Sequence, residues 1–122
     1  MTVTALDHYT IAAGDLDRTV AFYENALGLV RGKRPDFDFP GAWLYAGGRP
    51  VVHLFVADAP NHAKTGALDH IAFRADGLDA TRKRLDALGI AYRQQTVPGT
   101  NLHQLFLHDP DGLRIELNIE AG

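Results

Sequence analysis

Leu68-Asp69-His70-Ile71-Ala72-Phe73 opens with three residues that the chain has already used once, in Leu6-Asp7-His8-Tyr9-Thr10-Ile11. The correspondence continues downstream. Gly14-Asp15-Leu16-Asp17 and Leu27-Gly28-Leu29 follow the first copy, and Asp76-Gly77-Leu78-Asp79 and Leu88-Gly89-Ile90 follow the second. The two histidines are 62 residues apart and Gly28 and Gly89 are 61 apart, so the copies drift by one residue in a loop. Each copy closes on an alternating apolar run that carries one polar residue at an inward-facing position: His53 in Val51 to Val56, and Glu116 in Leu113 to Ile119. His8 therefore answers to His70, and His53 to Glu116.

Within the first copy, strand formers around His8 to Ile11 predict a strand from Thr4 to Ala13. Leu16, Val20, Tyr23 and Leu27 recur at helical spacing behind Asp15 or Asp17 as a cap, and Gly28 suits a left-handed stop. A short strand from Leu29 to Arg34 ends in the basic corner Arg31 to Pro35, read as a solvated turn. Phe37, Phe39 and Trp43 flank Pro40-Gly41, a loop that delivers aromatics to a pocket or to a partner chain. Ala42 to Gly47 and Pro50 to Ala57 form a hairpin over Gly47-Gly48. After a linker at about 58–66 the plan repeats: strand Ala67 to Ala75, helix Leu78 to Leu88, strand Ala91 to Val97. The closing hairpin pairs Leu102 to His108 with Leu113 to Ile119 across Asp109-Pro110-Asp111-Gly112. Each half reads β-α-β-β-β, with module 1 at about 1–57 and module 2 at about 67–122. The fold class is α+β.

At 122 residues, the chain suits one domain with a single core or two half-size modules that share it. A formal charge of −3 with interspersed signs offers no field for nucleic acid or anionic lipid. No apolar run approaches the roughly 20 residues of a membrane span, and the expected address is cytoplasmic. There is no cysteine, so a bound metal must be held by imidazole nitrogen and carboxylate oxygen.

Strand parity sorts the polar groups. Arg114, Glu116 and Asn118 share one face of the last strand, and Leu113, Ile115, Leu117 and Ile119 supply a core on the other. If the copies pack about a pseudo-twofold axis, the polar faces meet and His8, His53, His70 and Glu116 converge on one point. Imidazole and carboxylate suit zinc, nickel, cobalt, manganese or iron. Four protein ligands would close a zinc tetrahedron, so catalysis asks for a higher-coordinate ion or a ligand that leaves. Glu116 is the only acid of the four and the candidate proton carrier. Arg74 and Arg114 share faces with His70 and Glu116 and are candidates for an anionic substrate group. Thr10, Trp43, Phe55, Gln104 and Asn118 complete the expected substrate-binding set. His62 and His108 are expected at the surface, and His103 at the pocket's edge beside Gln104.

The segments Leu6-Asp7-His8, Phe22-Tyr23, Leu27-Gly28-Leu29, Gly41-Ala42-Trp43-Leu44-Tyr45, Leu68-Asp69-His70-Ile71-Ala72-Phe73, Asp109-Pro110-Asp111-Gly112 and Ile115-Glu116-Leu117 together resemble the vicinal oxygen chelate superfamily. That group includes glyoxalase I, fosfomycin-resistance proteins, methylmalonyl-CoA epimerase, extradiol dioxygenases and bleomycin-binding proteins. The resemblance implies paired βαβββ modules that form a cupped mixed sheet around one divalent metal per site. It puts His8, His70 and Glu116 on ligand positions, and His53 where glyoxalase I carries a glutamate. It also implies a homodimer with sites at or near the interface. The position four residues after the first ligand, an arginine in glyoxalase I that holds the glutathione carboxylate, is Ala12 here.

The function this resemblance implies is a metal-dependent, glyoxalase-type lyase or isomerase acting on a small oxygen-chelating substrate. The alternatives are a metal-dependent thiol transferase or hydrolase, an iron dioxygenase, and a metal-free sequestering module that uses Trp43, Phe37 and Phe39 as stacking walls.

Overall fold

The computed structural model describes residues 5–57, 68 and 70–120. In chain order these form β1 (Tyr9–Ala13), α1 (Leu16–Leu27), β2 (Val30–Gly32), β3 (Gly41–Ala46), β4 (Arg49–Val56), β5 (Ile71–Arg74), α2 (Leu78–Ala87), β6 (Arg93–Thr96), β7 (Leu102–His108) and β8 (Arg114–Glu120). The expected β-α-β-β-β plan therefore occurs twice. The chain divides into two compact units, residues 1–60 and 61–122. The expected linker and His62 lie outside the described residues.

Each unit holds one four-stranded mixed sheet, ordered β1-β4-β3-β2 in the first and β5-β8-β7-β6 in the second. The outer pairs β1/β4 and β5/β8 are parallel, which requires a crossover connection. The remaining pairs are antiparallel. Register makes the duplication concrete, because Thr10 stands opposite His53 and Ala72 opposite Glu116. Both opening strands are shorter than expected. The β1 ladder begins at Tyr9 and Val52, and the β5 ladder at Ile71 and Ile115. His8 and His70 thus immediately precede their strands, where the backbone is not bound to a straight ladder direction.

Alternation places the core as strand parity requires. Val52 and Leu54 of β4 are buried, as are Ile115, Leu117 and Ile119 of β8, while His53 and Glu116 point to the opposite face of their sheets. In α1, Asp15 is the cap: its Oδ1 accepts from the Arg18 backbone N–H at 3.1 Å. The helix stops at Gly28, whose φ of 74° is the left-handed conformation glycine adopts without strain. Its buried residues are Thr19, Val20, Tyr23 and Ala26. Leu16 and Leu27, expected on the core face, sit half-buried at its flanks. The β7/β8 turn is held by the buried Asp109, whose Oδ1 accepts from the backbone N–H groups of Asp111 and Leu113, each at 2.9 Å. Among the described residues no helix is long and apolar enough to cross a membrane.

Candidate functional site

In the first module Trp43, His53 and Thr10 form one cross-strand rung, with Trp43 opposite His53 and His53 opposite Thr10. The ring of His53 lies between two others. It stacks on Trp43 at a centroid distance of 3.9 Å and on His8 at 3.8 Å, with interplanar angles of 10° and 12°. His53 Nε2 lies 3.1 Å from the carbonyl oxygen of Pro50, so this nitrogen carries the proton and donates it. Burial, and then the neighbouring His8, hold the His53 imidazole below its ordinary pKa and favour the neutral ring. His8 Nδ1 lies 2.6 Å from Asp7 Oδ2. With its proton committed to Asp7 through Nδ1, His8 presents a bare lone pair at Nε2. Lone pairs lie in the ring plane, so the stacked His8 and His53 rings do not aim at a common point. One ring has to turn before both can bind one ion.

A cavity of about 210 Å³ adjoins this rung, lined by Thr10, Trp43, His53 and Phe55 from the sheet side, and by Arg34, Phe37 and Phe39 from the β2/β3 connection. The basic corner thus contributes more than a solvated turn. The Arg34 guanidinium packs against both Phe37 and Phe39, 4.9 Å from each ring centroid, and donates to the Phe39 carbonyl at 3.1 Å. Gly41 lets it do so: a Cβ there would lie 2.3 Å from the Leu54 carbonyl oxygen and 2.8 Å from an Arg34 nitrogen.

In the second module His70 Nε2 and Glu116 Oε1 are 3.5 Å apart, and the Glu116 side chain is 13% exposed. Two donors that each bind a common ion at about 2.1 Å sit roughly 3.0–3.4 Å from one another in octahedral or tetrahedral geometry. The observed spacing is close to that, so this pair fits a divalent cation. The other Glu116 oxygen, Oε2, accepts from Asn118 Nδ2 at 2.8 Å. Phe106 stands opposite Glu116 in register, as Trp43 stands opposite His53.

The remaining expected substrate residues are engaged within the module. Arg74 pairs with Glu120 at 3.6 Å on an exposed rim. Arg114 and Arg93 place their guanidinium groups 4.8 Å and 4.6 Å from the Phe106 centroid. Gln104 donates to Asn118 Oδ1 at 3.1 Å. His103 Nδ1 lies 3.0 Å from Thr96 Oγ1, and His108 is exposed. Among the described residues no group of three or more His, Asp or Glu side chains is placed to hold a metal ion.

Asp7, Arg34, Phe106, Gln95 and Arg93 were not singled out from sequence as site residues. The spacing of 63 residues that links His53 to Glu116 also links Trp43 to Phe106, and would have found the latter.

Residues 5–117 match the family described as the Glyoxalase/Bleomycin resistance protein/Dioxygenase superfamily. Glyoxylase I 4 of Arabidopsis thaliana is 34% identical over 94% of this chain and 70% of its own length. The lactoylglutathione lyase of Haemophilus influenzae is 30% identical over 89% of this chain and 87% of its own. The crystal structure of a glyoxylase/bleomycin resistance protein/dioxygenase domain from Frankia sp. EAN1pec has the same fold, with a TM-score of 0.80 at 22% identity, covering 98% of this chain and 100% of that one. The doubled βαβββ plan, the match across nearly the whole chain and the 34% identical relative agree, and the chain belongs to the Glyoxalase/Bleomycin resistance protein/Dioxygenase superfamily.

Proposed function

We propose that the protein is a divalent-metal-dependent lyase or isomerase of glyoxalase type, with His8, His53, His70 and Glu116 as the ligand set. One observation carries the reading. His53 and Glu116 hold the same register position in the two duplicated sheets, opposite Thr10 and Ala72, and a histidine stands two residues before each of those partners. Duplication thus preserves two donor pairs, one per module, each made of side chains able to bind a metal. Neutral imidazole and carboxylate suit zinc, nickel, cobalt, manganese or iron. The names of the relatives from Arabidopsis thaliana and Haemophilus influenzae support lyase chemistry.

When bound, such an ion would polarise a substrate oxygen and so acidify the neighbouring C–H. The chain supplies the proton transfer. Glu116 Oε1 takes the proton from the hydroxyl-bearing carbon of the substrate and returns it to the adjacent carbonyl carbon, while the hydroxyl proton passes to the oxygen of that carbon, so carbonyl and alcohol exchange places and no atom is gained or lost. Asn118 holds Oε2 meanwhile, which leaves Oε1 as the oxygen that would hold the ion and, once released from it, carry the proton. The cavity at Trp43, Phe37, Phe39 and Phe55 receives the apolar part of the substrate.

The test uses the full-length, metal-loaded protein with an adduct of methylglyoxal and a small thiol in deuterated water. Formation of the isomeric hydroxy thioester, lost in Glu116→Gln while the fold persists by circular dichroism, is the expected result. Turnover by Glu116→Gln at the wild-type rate would remove Glu116 from the chemistry.

A further inference from the structure

A chain of side-chain hydrogen bonds crosses the second module's sheet and ends on Glu116. Arg93 NH1 donates to Gln95 Oε1 at 3.0 Å, Gln95 Nε2 to Gln104 Oε1 at 2.8 Å, Gln104 Nε2 to Asn118 Oδ1 at 3.1 Å, and Asn118 Nδ2 to Glu116 Oε2 at 2.8 Å. Strand register builds it. Gln95 faces Gln104 across β6/β7 and Gln104 faces Asn118 across β7/β8, so three amides form one rung. Arg93 and Glu116 lie two residues from the ends of that rung on the same face.

The ends fix the direction. A guanidinium only donates and a carboxylate only accepts, so every amide between them must turn its oxygen toward Arg93 and its nitrogen toward Glu116. Each bond polarises the next, and the chain terminates in a charge-assisted bond on the carboxylate. Among the described residues of the first module the corresponding rung has no amides. At the positions 63 residues before Asn118 and Gln104 stand Phe55 and Gly41, which face each other across β3/β4. The duplicated sheets have diverged at this rung: one half carries amides, the other borders the aromatic cavity.

We infer that Arg93, Gln95, Gln104 and Asn118 are positioning residues that orient Glu116 by its Oε2, presenting Oε1 on the His70 side as a preset donor. The inference rests on the proposed role of Glu116, but it concerns residues outside the proposed ligand set. Gln104 and Asn118, expected from sequence to bind substrate, carry the amides through which this chain reaches Glu116.

The test has two readouts on full-length protein. The Asn118 side-chain amide is followed by ¹⁵N NMR in metal-free protein, assigned by its loss in Asn118→Asp. The dissociation constant for nickel(II) is measured by calorimetry. Arg93→Met removes the terminal donor at an exposed site two strands away from Glu116, and Gln104→Leu breaks the middle. Both should shift the Asn118 amide and weaken nickel binding by about ten-fold, the lower end of what outer-shell partners contribute. Arg93→Lys, which keeps a donor, should restore both. An Asn118 amide unmoved by Arg93→Met, or nickel affinity unchanged in both variants, would overturn the inference. A wild-type chain that binds none of nickel, cobalt, zinc, manganese or iron(II) but shows the Arg93-dependent amide would instead overturn the ligand role of Glu116 and leave the hydrogen-bond chain standing.

Discussion

Asp7 Oδ2 and His8 Nδ1 are 2.6 Å apart, so adjacent residues form a carboxylate–imidazole pair that decides which nitrogen of His8 is left bare. The bond also holds the Asp7 carboxyl below its usual range, so Asp7 stays ionised across the working pH. An outer carboxylate on a ligating histidine fixes its tautomer and raises its basicity. Asp7→Asn should therefore lower metal affinity by about ten-fold or more with little change in thermal stability, since Asp7 is exposed. Calorimetric titration with nickel(II) checks it, and equal affinity in mutant and wild type would count against the His8 assignment.

The stacked His53 ring gives the metal-free protein a pH signature. Its pKa is depressed in the folded state by burial and by His8, so below about pH 6.5 the unfolded chain takes up a proton that the folded one refuses. The stabilisation is present above about pH 6.5 and is lost as the pH falls through the folded pKa. His53→Gln should flatten the urea-unfolding free energy between pH 7 and pH 5. An unchanged slope would mean that the ring is not held neutral by its surroundings.

Gly41 is required by space. A methyl group there would meet the Leu54 carbonyl and the Arg34 guanidinium, and the first of these is backbone within the β3/β4 pairing. Gly41→Ala should destabilise the protein by about 1–3 kcal/mol, the range of overpacked sites, and displace Arg34 from Phe37 and Phe39. Chemical denaturation measures the first effect. Weakened binding of a hydrophobic fluorescent probe in the adjacent cavity would report the second.

Much of this was legible in the sequence because duplication leaves a countable trace. The repeat around His8 and His70 located both modules, and parity in β8 put Ile115 and Leu117 in the core with Glu116 opposite. Strand ends were less legible, since a ladder stops where its partner stops, and that is a property of two segments. The stack of Trp43, His53 and His8 could not be read, because ring orientation depends on side-chain torsions. Nor could the role of Gln104 and Asn118, whose amides serve a substrate and a neighbour equally well until register shows Gln95 and Glu116 at either end. The reading of Arg34 as solvated missed its aromatic neighbours for the same reason: Phe37 and Phe39 come to it through a turn, without periodicity.

The central claim is that paired donors from a doubled half bind one kind of ion. Elemental analysis of the full-length protein after equilibration with nickel, cobalt, zinc, manganese and iron(II), followed by gel filtration, addresses it directly. The account predicts stoichiometric retention of at least one of these metals by the wild type and its loss in His70→Ala and in Glu116→Ala. Retention by both variants at the wild-type level, or no retention by the wild type, would contradict it.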